Sequence, residues 1–291
     1  MAVFRRAYRY VRHVALQDMK RTHDVRSAKQ RLLSSGNLTD EEKCLLDKVS
    51  LQIHRADQMY VPGEALNYLS VGLSASRCIH GALRSSRKGG AVGAILDFPC
   101  GYGRVLRFLR VMFPNSDIIG GEIETAALEF CRRAFSATAL LSSINLSDLS
   151  LPQRFDLIWC GSLMTHIDEQ ATIDLLRFFH DHLADQGLCI FTTHGQRSIE
   201  RIQSKKTTYG LTEEAQHKVL RDFQAKGYGY ADYPNQSGYG ISTVSRSRIV
   251  ELARGVGMWH EVFFVEHGWD DHQDACAFAM QMPNKGMESD K

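Results

Sequence analysis

The chain has 291 residues, enough for one large domain or two modest ones. Apolar residues make up 44% and charged residues 23%, the balance of a globular protein rather than a disordered or fibrous one. A net charge of +2 excludes a strongly basic nucleic-acid-binding protein, so no nucleic-acid partner is expected.

The seven cysteines, Cys44, Cys78, Cys100, Cys131, Cys160, Cys189 and Cys276, are odd in number and form no Cys-x-x-Cys pair. That argues against a disulfide framework or a zinc ribbon and for a reducing compartment. No window of 18 apolar residues exists, so no membrane-spanning helix is expected and the protein reads as cytoplasmic.

Residues 1–31 carry nine Lys or Arg against two Asp. The opening "MAVFRRAYRYVRHVALQDMKR" lacks the apolar core of a secretion signal. It is amphipathic, with Phe4, Tyr8, Val11 and Ala15 on one face and arginines largely elsewhere. Three readings stand: an organelle transit peptide, a helix making peripheral contact with an anionic membrane, or an accessory helix packed on the domain. Residues 1–90 as a whole read as a helical extension. Thr39 with Glu42 three residues on has capping-box spacing, and "RKGG" at 87–90 breaks the pattern.

From residue 91 short apolar runs alternate with amphipathic helices. "AVGAILDF", "SDIIGGEI", "ATALLSS", "FDLIWCGS" and "LCIFTTH" read as five strands. Helices read over "GRVLRFLRVMF", "ETAALEFCRRAF" and "DEQATIDLLRFFHDHLADQG", the last opened by Asp168 and stopped at Gly187. This alternation predicts βαβ units and a parallel sheet covered on both faces.

Residues 195–244 break the alternation. They are polar, rich in Gly and Tyr, and carry one helical piece, "TEEAQHKVLRDFQAKG". The segment is too long for an ordinary connection, so it reads as a cap insertion in a domain spanning 91–291. A helix resumes at Ser245, and "WHEVFFVEH" and "DACAFAMQM" close the sheet through a hairpin at "GWDDHQ".

The first strand ends in Asp97 and turns through Gly101 and Gly103. A phosphate loop would need Gly-Lys-Ser/Thr, which is missing. A dinucleotide loop would need a third glycine, where Leu106 stands. Glu122 ends the second strand, 21 residues after Gly101, where a carboxylate suits a ribose. The expected ligand has a ribose, no phosphate cradle, and a positive charge near Asp97.

These residues resemble the class I S-adenosylmethionine-dependent methyltransferases. "LDFPCGYGR" resembles their first motif, with Pro99 in place of its first glycine. "GGEI", "FDLIWCGSLMTHI" and "LADQGLCIFTTHG" resemble the second-, fourth- and fifth-strand motifs. A bacterial group with an LDFPCG-x-GR motif is similar, proline included. The resemblance implies a seven-stranded, mostly parallel Rossmann-like sheet with an antiparallel last strand. It implies S-adenosylmethionine as cofactor. Gly101 and Gly103 would let the backbone approach it, Asp97 would hold its ammonium, Glu122 its ribose, and Ile123 would pack on the adenine. Asn145 falls where the family often has an acid or amide at the adenine, and Cys160 and Gly161 beside the methionine part. Asp97 and Glu122 also suit helix N-caps, Ile123 plain core, and Asn145 a surface turn.

The carboxyl ends of the strands gather His166, His194 and the hairpin residues Asp270, Asp271 and His272. A hydroxyl acceptor needs a base, and His194 or His272 is the first choice, with His166 and Asp270 behind. His166 has a loop-ordering hydrogen bond as its alternative; the hairpin residues have a polar tip. No close His-x-x-x-His spacing supports a metal, so none is expected. Tyr209, Tyr228, Tyr230, Tyr233 and Tyr239 suit an amphipathic small-molecule, saccharide or glycolipid acceptor, or else a small core of the cap. The rival functions are a nicotinamide-dependent oxidoreductase of similar topology and a non-catalytic scaffold.

Overall fold

A computed structural model describes residues 19–86, 91–151, 153–257 and 259–280. The basic opening helix expected before residue 19 and the break at 87–90 lie outside them. Among the described residues no helix is long and apolar enough to cross a membrane.

Seven strands form one sheet: β1 (Ala94–Asp97), β2 (Asp117–Glu122), β3 (Thr138–Leu141), β4 (Phe155–Cys160), β5 (Leu183–Thr193), β8 (Trp259–Trp269) and β9 (Gln273–Met280). Their order is β3-β2-β1-β4-β5-β9-β8. β2 pairs parallel with β3, and β4 with β5. β9, the last strand in sequence, runs antiparallel to both β5 and β8 and lies between them. The alternation predicted the parallel part of this sheet, and the resemblance implied the seven-stranded, mostly parallel Rossmann-like whole.

By contacts the chain divides into two compact units. The first holds the described residues up to Cys78 together with Leu96–Ser142. Its helices are α1 (residues 19–33), α2 (Asp40–Lys48), most of α3 (Ala65–Ser85), α4 (Leu106–Met112) and α5 (Thr125–Phe135). The capping box forms as expected: the Thr39 hydroxyl accepts from the Glu42 N–H at 3.2 Å, and the Glu42 carboxylate accepts from the Thr39 N–H at 2.8 Å. Leu38, Leu45, Leu46, Val49 and Leu73 pack on Phe108 of α4, so the helical segment shares its core with the first βα turn.

A buried charge reinforces that junction. Arg107 is 1% exposed. Its guanidinium donates to the Gly103 carbonyl at 3.0 Å, the Ser50 carbonyl at 3.0 Å and the Tyr68 hydroxyl at 3.1 Å. Tyr68 in turn donates to Asp57 at 2.7 Å. A charge so far from water stands only because its donors are satisfied.

The second unit holds Ile79–Ile95 and the described residues from Ser143 onward. α6 (Glu169–His182) opens on Asp168, whose carboxylate accepts from the Ala171 N–H at 2.8 Å. The helix stops at His182, earlier than the sequence suggested. Leu183 is already extended and pairs with Phe155, so Gly187 lies inside β5 and does not terminate the helix. The register shift in this stretch of the β4–β5 ladder explains why the apolar run looked shorter.

The segment 195–244, expected as a cap insertion, is more ordered than its composition predicted. Besides α8 (Glu213–Lys226) it contains α7 (Gln196–Gln203) and a hairpin of β6 (Tyr228–Tyr233) and β7 (Gln236–Val244). Ile199, Ile202, Leu211, Val219, Ala231 and Ile241 form its core. Glycines and tyrosines in "YGYADY" and "QSGYGISTV" blunt the alternation that marks a strand. β7 is bonded to the rest of this unit: Gly240 N–H donates to the His166 carbonyl at 2.9 Å and Val244 N–H to the His194 carbonyl at 2.8 Å. α9 (Arg246–Val256) follows on its Ser245 cap, and the β8–β9 turn places Asp270 and Asp271 in left-handed backbone.

Candidate functional site

The first unit carries the glycine bend. Asp97 ends β1, is 1% exposed, and its Oδ2 has no hydrogen-bond partner. Burial, and then the nearby Glu122, push its carboxyl well above the usual range. The Phe98–Pro99 peptide is cis. Gly101 adopts φ +50°, and a Cβ added there would meet open space. Gly103 adopts φ +77°, and a Cβ there would strike the Phe135 ring at 2.3 Å. The two glycines therefore do different things: Gly101 leaves a clear surface, while Gly103 lets α5 approach.

Glu122 braces this bend. Its Oε2 accepts from the Gly101 N–H at 2.9 Å, and its Oε1 from the Ile123 N–H at 2.8 Å. It does not cap α5, whose N-cap is Glu124. Ile123 is 62% exposed and is not core. An exposed isoleucine beside a carboxylate at a strand end is a surface with an apolar and a polar half.

In the second unit Asn145 is exposed and spent on its own turn. It accepts from Ser147 and donates to Asp148 at 3.0 Å. The surface-turn reading accounts for all its contacts. Cys160 is fully buried, so only its backbone can face a ligand. Beyond Gly161, Ser162 stands in left-handed backbone at φ 65°. Its N–H donates to the Thr192 hydroxyl at 2.9 Å, Thr192 donates to Gln273 at 2.6 Å, and Gln273 donates to the Ser162 hydroxyl at 2.9 Å. This closed ring fixes the end of β4. Sequence reading missed Thr192 and Gln273, since neither stands in a recognisable spacing.

The same unit gathers three histidines. His166 and His194 lie 6.5 Å apart by ring centroid, and His194 and His272 5.1 Å apart. Tyr239 stacks on His166 at 5.0 Å, Tyr233 flanks it, and Tyr209 lies 5.1 Å from His194. His166 Nδ1 is engaged by the Gly240 carbonyl at 2.9 Å and the Tyr233 hydroxyl at 3.1 Å. His272 Nε2 meets the Tyr209 hydroxyl at 3.3 Å. His194 is 4% exposed, is hydrogen-bonded to the Ser242 backbone, and its Nδ1 has no partner. Burial, with His272 and His166 beside it, lowers its pKa to about 3. Burial also lowers His166 and His272. All three rings are neutral at pH 7.

The remaining expectations fare unevenly. Asp270 sits on the exposed hairpin turn, and Asp271 pairs with Arg197 at 2.8 Å. Tyr228 is core, bonded to Thr172 and the Ile167 carbonyl, and Tyr230 bonds Asp232. Only Tyr209, Tyr233 and Tyr239 of the five cap tyrosines meet the histidines. Among the described residues no three His, Cys, Asp or Glu side chains gather as metal ligands.

Residues 95–187 match a family model described as a methyltransferase domain. They hold the glycine bend, the acid ending β2 and the end of β4. Over those residues the chain is similar to methyltransferase domains, and its sheet has the class I methyltransferase fold. No curated protein matches. Among solved structures, an S-adenosylmethionine-dependent methyltransferase from Clostridium acetobutylicum is similar at a TM-score of 0.50, with 13% identity over 72% of this chain and 92% of that one. DesVI from Streptomyces venezuelae gives 0.50, with 12% identity over 73% and 93%. At such identities the likeness shows the fold alone.

The residues of the bend fit S-adenosylmethionine. A buried carboxylate oxygen without a donor is costly. An ammonium donating to Asp97 would satisfy that oxygen and return the carboxyl to its ionised form. The open face at Gly101 accepts a close approach that a side chain would block. Glu122, with one backbone bond on one oxygen and two contacts on the other, has acceptor capacity left for ribose hydroxyls. Exposed Ile123 would offer the base an apolar face.

Proposed function

We propose that this chain is an S-adenosylmethionine-dependent methyltransferase, that it transfers a methyl group to an oxygen of a small-molecule or saccharide acceptor, and that His194 meets the acceptor hydroxyl. S-adenosylmethionine supplies an electrophilic methyl on a sulfonium, which needs no acid to leave. The chain must then hold the acceptor and receive its proton.

The observation that carries this reading is the buried, unpartnered Nδ1 of His194. Its ring is tied to the Ser242 backbone, which leaves Nδ1 as a lone pair with nothing to accept from. The other two imidazoles each have a ring nitrogen committed within the cluster. A hydroxyl donating to Nδ1 would be oriented with its oxygen lone pairs free. Tyr209, Tyr233 and Tyr239 supply aromatic faces with polar tips, which suit a sugar or a phenol.

The test is transfer from methyl-labelled S-adenosylmethionine in the His194→Gln variant, which retains a donor for the Ser242 carbonyl. Loss of transfer with S-adenosylhomocysteine binding intact supports the role. Undiminished transfer refutes it, and label recovered on nitrogen would replace the oxygen acceptor with an amine.

A further inference from the structure

α7 presents two arginines, Arg197 and Arg201, four residues apart and so on one helix face. Their situations differ. Arg197 is paired with Asp271. The Arg201 Nε is buried and has no hydrogen-bond partner, although a guanidinium N–H is a donor that needs an acceptor. A guanidinium nitrogen withdrawn from water without an acceptor carries a desolvation penalty that a fold normally avoids.

The position of Arg201 gives that nitrogen a purpose. Ser198, one helical turn before it, accepts from the Tyr209 hydroxyl at 3.1 Å. The same hydroxyl meets His272 Nε2. The carbonyl of Arg201 accepts from the N–H groups of Lys206 and Thr207, which tie down the loop leading to Tyr209. Arg201 therefore belongs to the corner built by Tyr209, His272 and His194. Its charge is felt at all three rings, lowering each. With Arg197 matched by Asp271 and the imidazoles neutral, this corner has one uncompensated positive charge. The lone Nδ1 of His194 is the second buried polar atom here that lacks a partner.

Resting on the acceptor reading above, we propose that the methyl acceptor carries an anionic oxygen group, a carboxylate or a phosphate, and that Arg201 holds it. The planar guanidinium offers paired donors to either anion. An anion placed there offsets the Arg201 charge beside His194, a smaller influence on that ring than its burial. The group bound is distinct from the oxygen that receives the methyl, which faces His194.

The experiment titrates benzoate, phenyl phosphate and the neutral benzyl alcohol into the full chain saturated with S-adenosylhomocysteine, by calorimetry. The Arg201 Nε–H resonance is followed in parallel. At least one anion binds about tenfold or more tighter than benzyl alcohol and shifts that resonance, as expected for charge-assisted bonds. Preference for benzoate identifies a carboxylate, and preference for phenyl phosphate a phosphate. Arg201→Gln abolishes the preference, and Arg201→Lys, which keeps the charge, retains part of it. Equal affinity for all three probes overturns the proposal, as does a preference that survives Arg201→Gln or an unmoved resonance. Failure of S-adenosylhomocysteine to bind the unmodified chain would instead count against the methyltransferase reading.

Discussion

The carboxylate of Glu122 accepts the backbone N–H of Gly101 at 2.9 Å, so the end of β2 holds the bend at the end of β1. One side chain thereby shapes the loop and faces the place a ribose would occupy. Glu122→Ala removes both the brace and the acceptor for ribose hydroxyls. Affinity for S-adenosylhomocysteine falls by about 1–3 kcal/mol, the range for hydrogen bonds to a charged group. Calorimetry reads this directly. Unchanged affinity would take Glu122 out of the cofactor site.

The two glycines of the bend separate binding from folding. Gly101→Ala adds a methyl group to open space in left-handed backbone, at about 1 kcal/mol of strain. The chain still folds, but the methyl group occupies the face the cofactor must approach, and S-adenosylhomocysteine binding drops by about tenfold or more. Gly103→Ala puts the same methyl group into Phe135 and costs stability first. Urea melts and calorimetry on the two variants give opposite rankings. Identical profiles would mean the two glycines share one role.

Much of this was legible in the sequence because it is local. The bend at Asp97–Gly103, the acid ending β2 and the caps at Thr39, Asp168 and Ser245 are short spacings whose physics is complete within a few residues. The parallel pairing followed from the βαβ alternation. The cap hairpin was hidden because Tyr and Gly in β6 and β7 carry little alternation. The Ser162–Thr192–Gln273 ring joins residues 30 and 81 positions apart in successive bonds, which no spacing announces. His194, His166 and His272 were each visible as strand-end or loop histidines. Which of them keeps a nitrogen free depends on the tertiary partners Gly240, Tyr209 and Ser242.

Arg107 shows the same limit in the first unit. In "GRVLRFLR" it reads as an ordinary helical arginine, yet it is buried and joins Gly103, Ser50 and Tyr68. Arg107→Leu leaves the two carbonyls and a hydroxyl without their donors inside the core. Unfolding free energy falls by about 3 kcal/mol or more, since each lost bond was to a charged group. The glycine bend loosens with it, so S-adenosylhomocysteine protects the variant less in thermal melts. A variant as stable as the parent would mean that water replaces all three contacts.

His194 also predicts a pH response. Its pKa is about 3 in the folded chain and near 6.5 when unfolded, because burial disfavours the imidazolium. Below pH 6.5 the unfolded chain binds a proton that the folded chain refuses. The stability due to neutral His194 is thus fully present above 6.5 and is lost as pH falls toward 3. Between pH 7.5 and 5 this one group removes about 2 kcal/mol of unfolding free energy. His194→Gln has no such proton to refuse, so its stability falls less over the same interval. Urea melts at the two pH values measure the difference between the two slopes. Parallel slopes would show that His194 is solvated and protonates normally, and its free Nδ1 would then lose its standing as the atom that meets the acceptor.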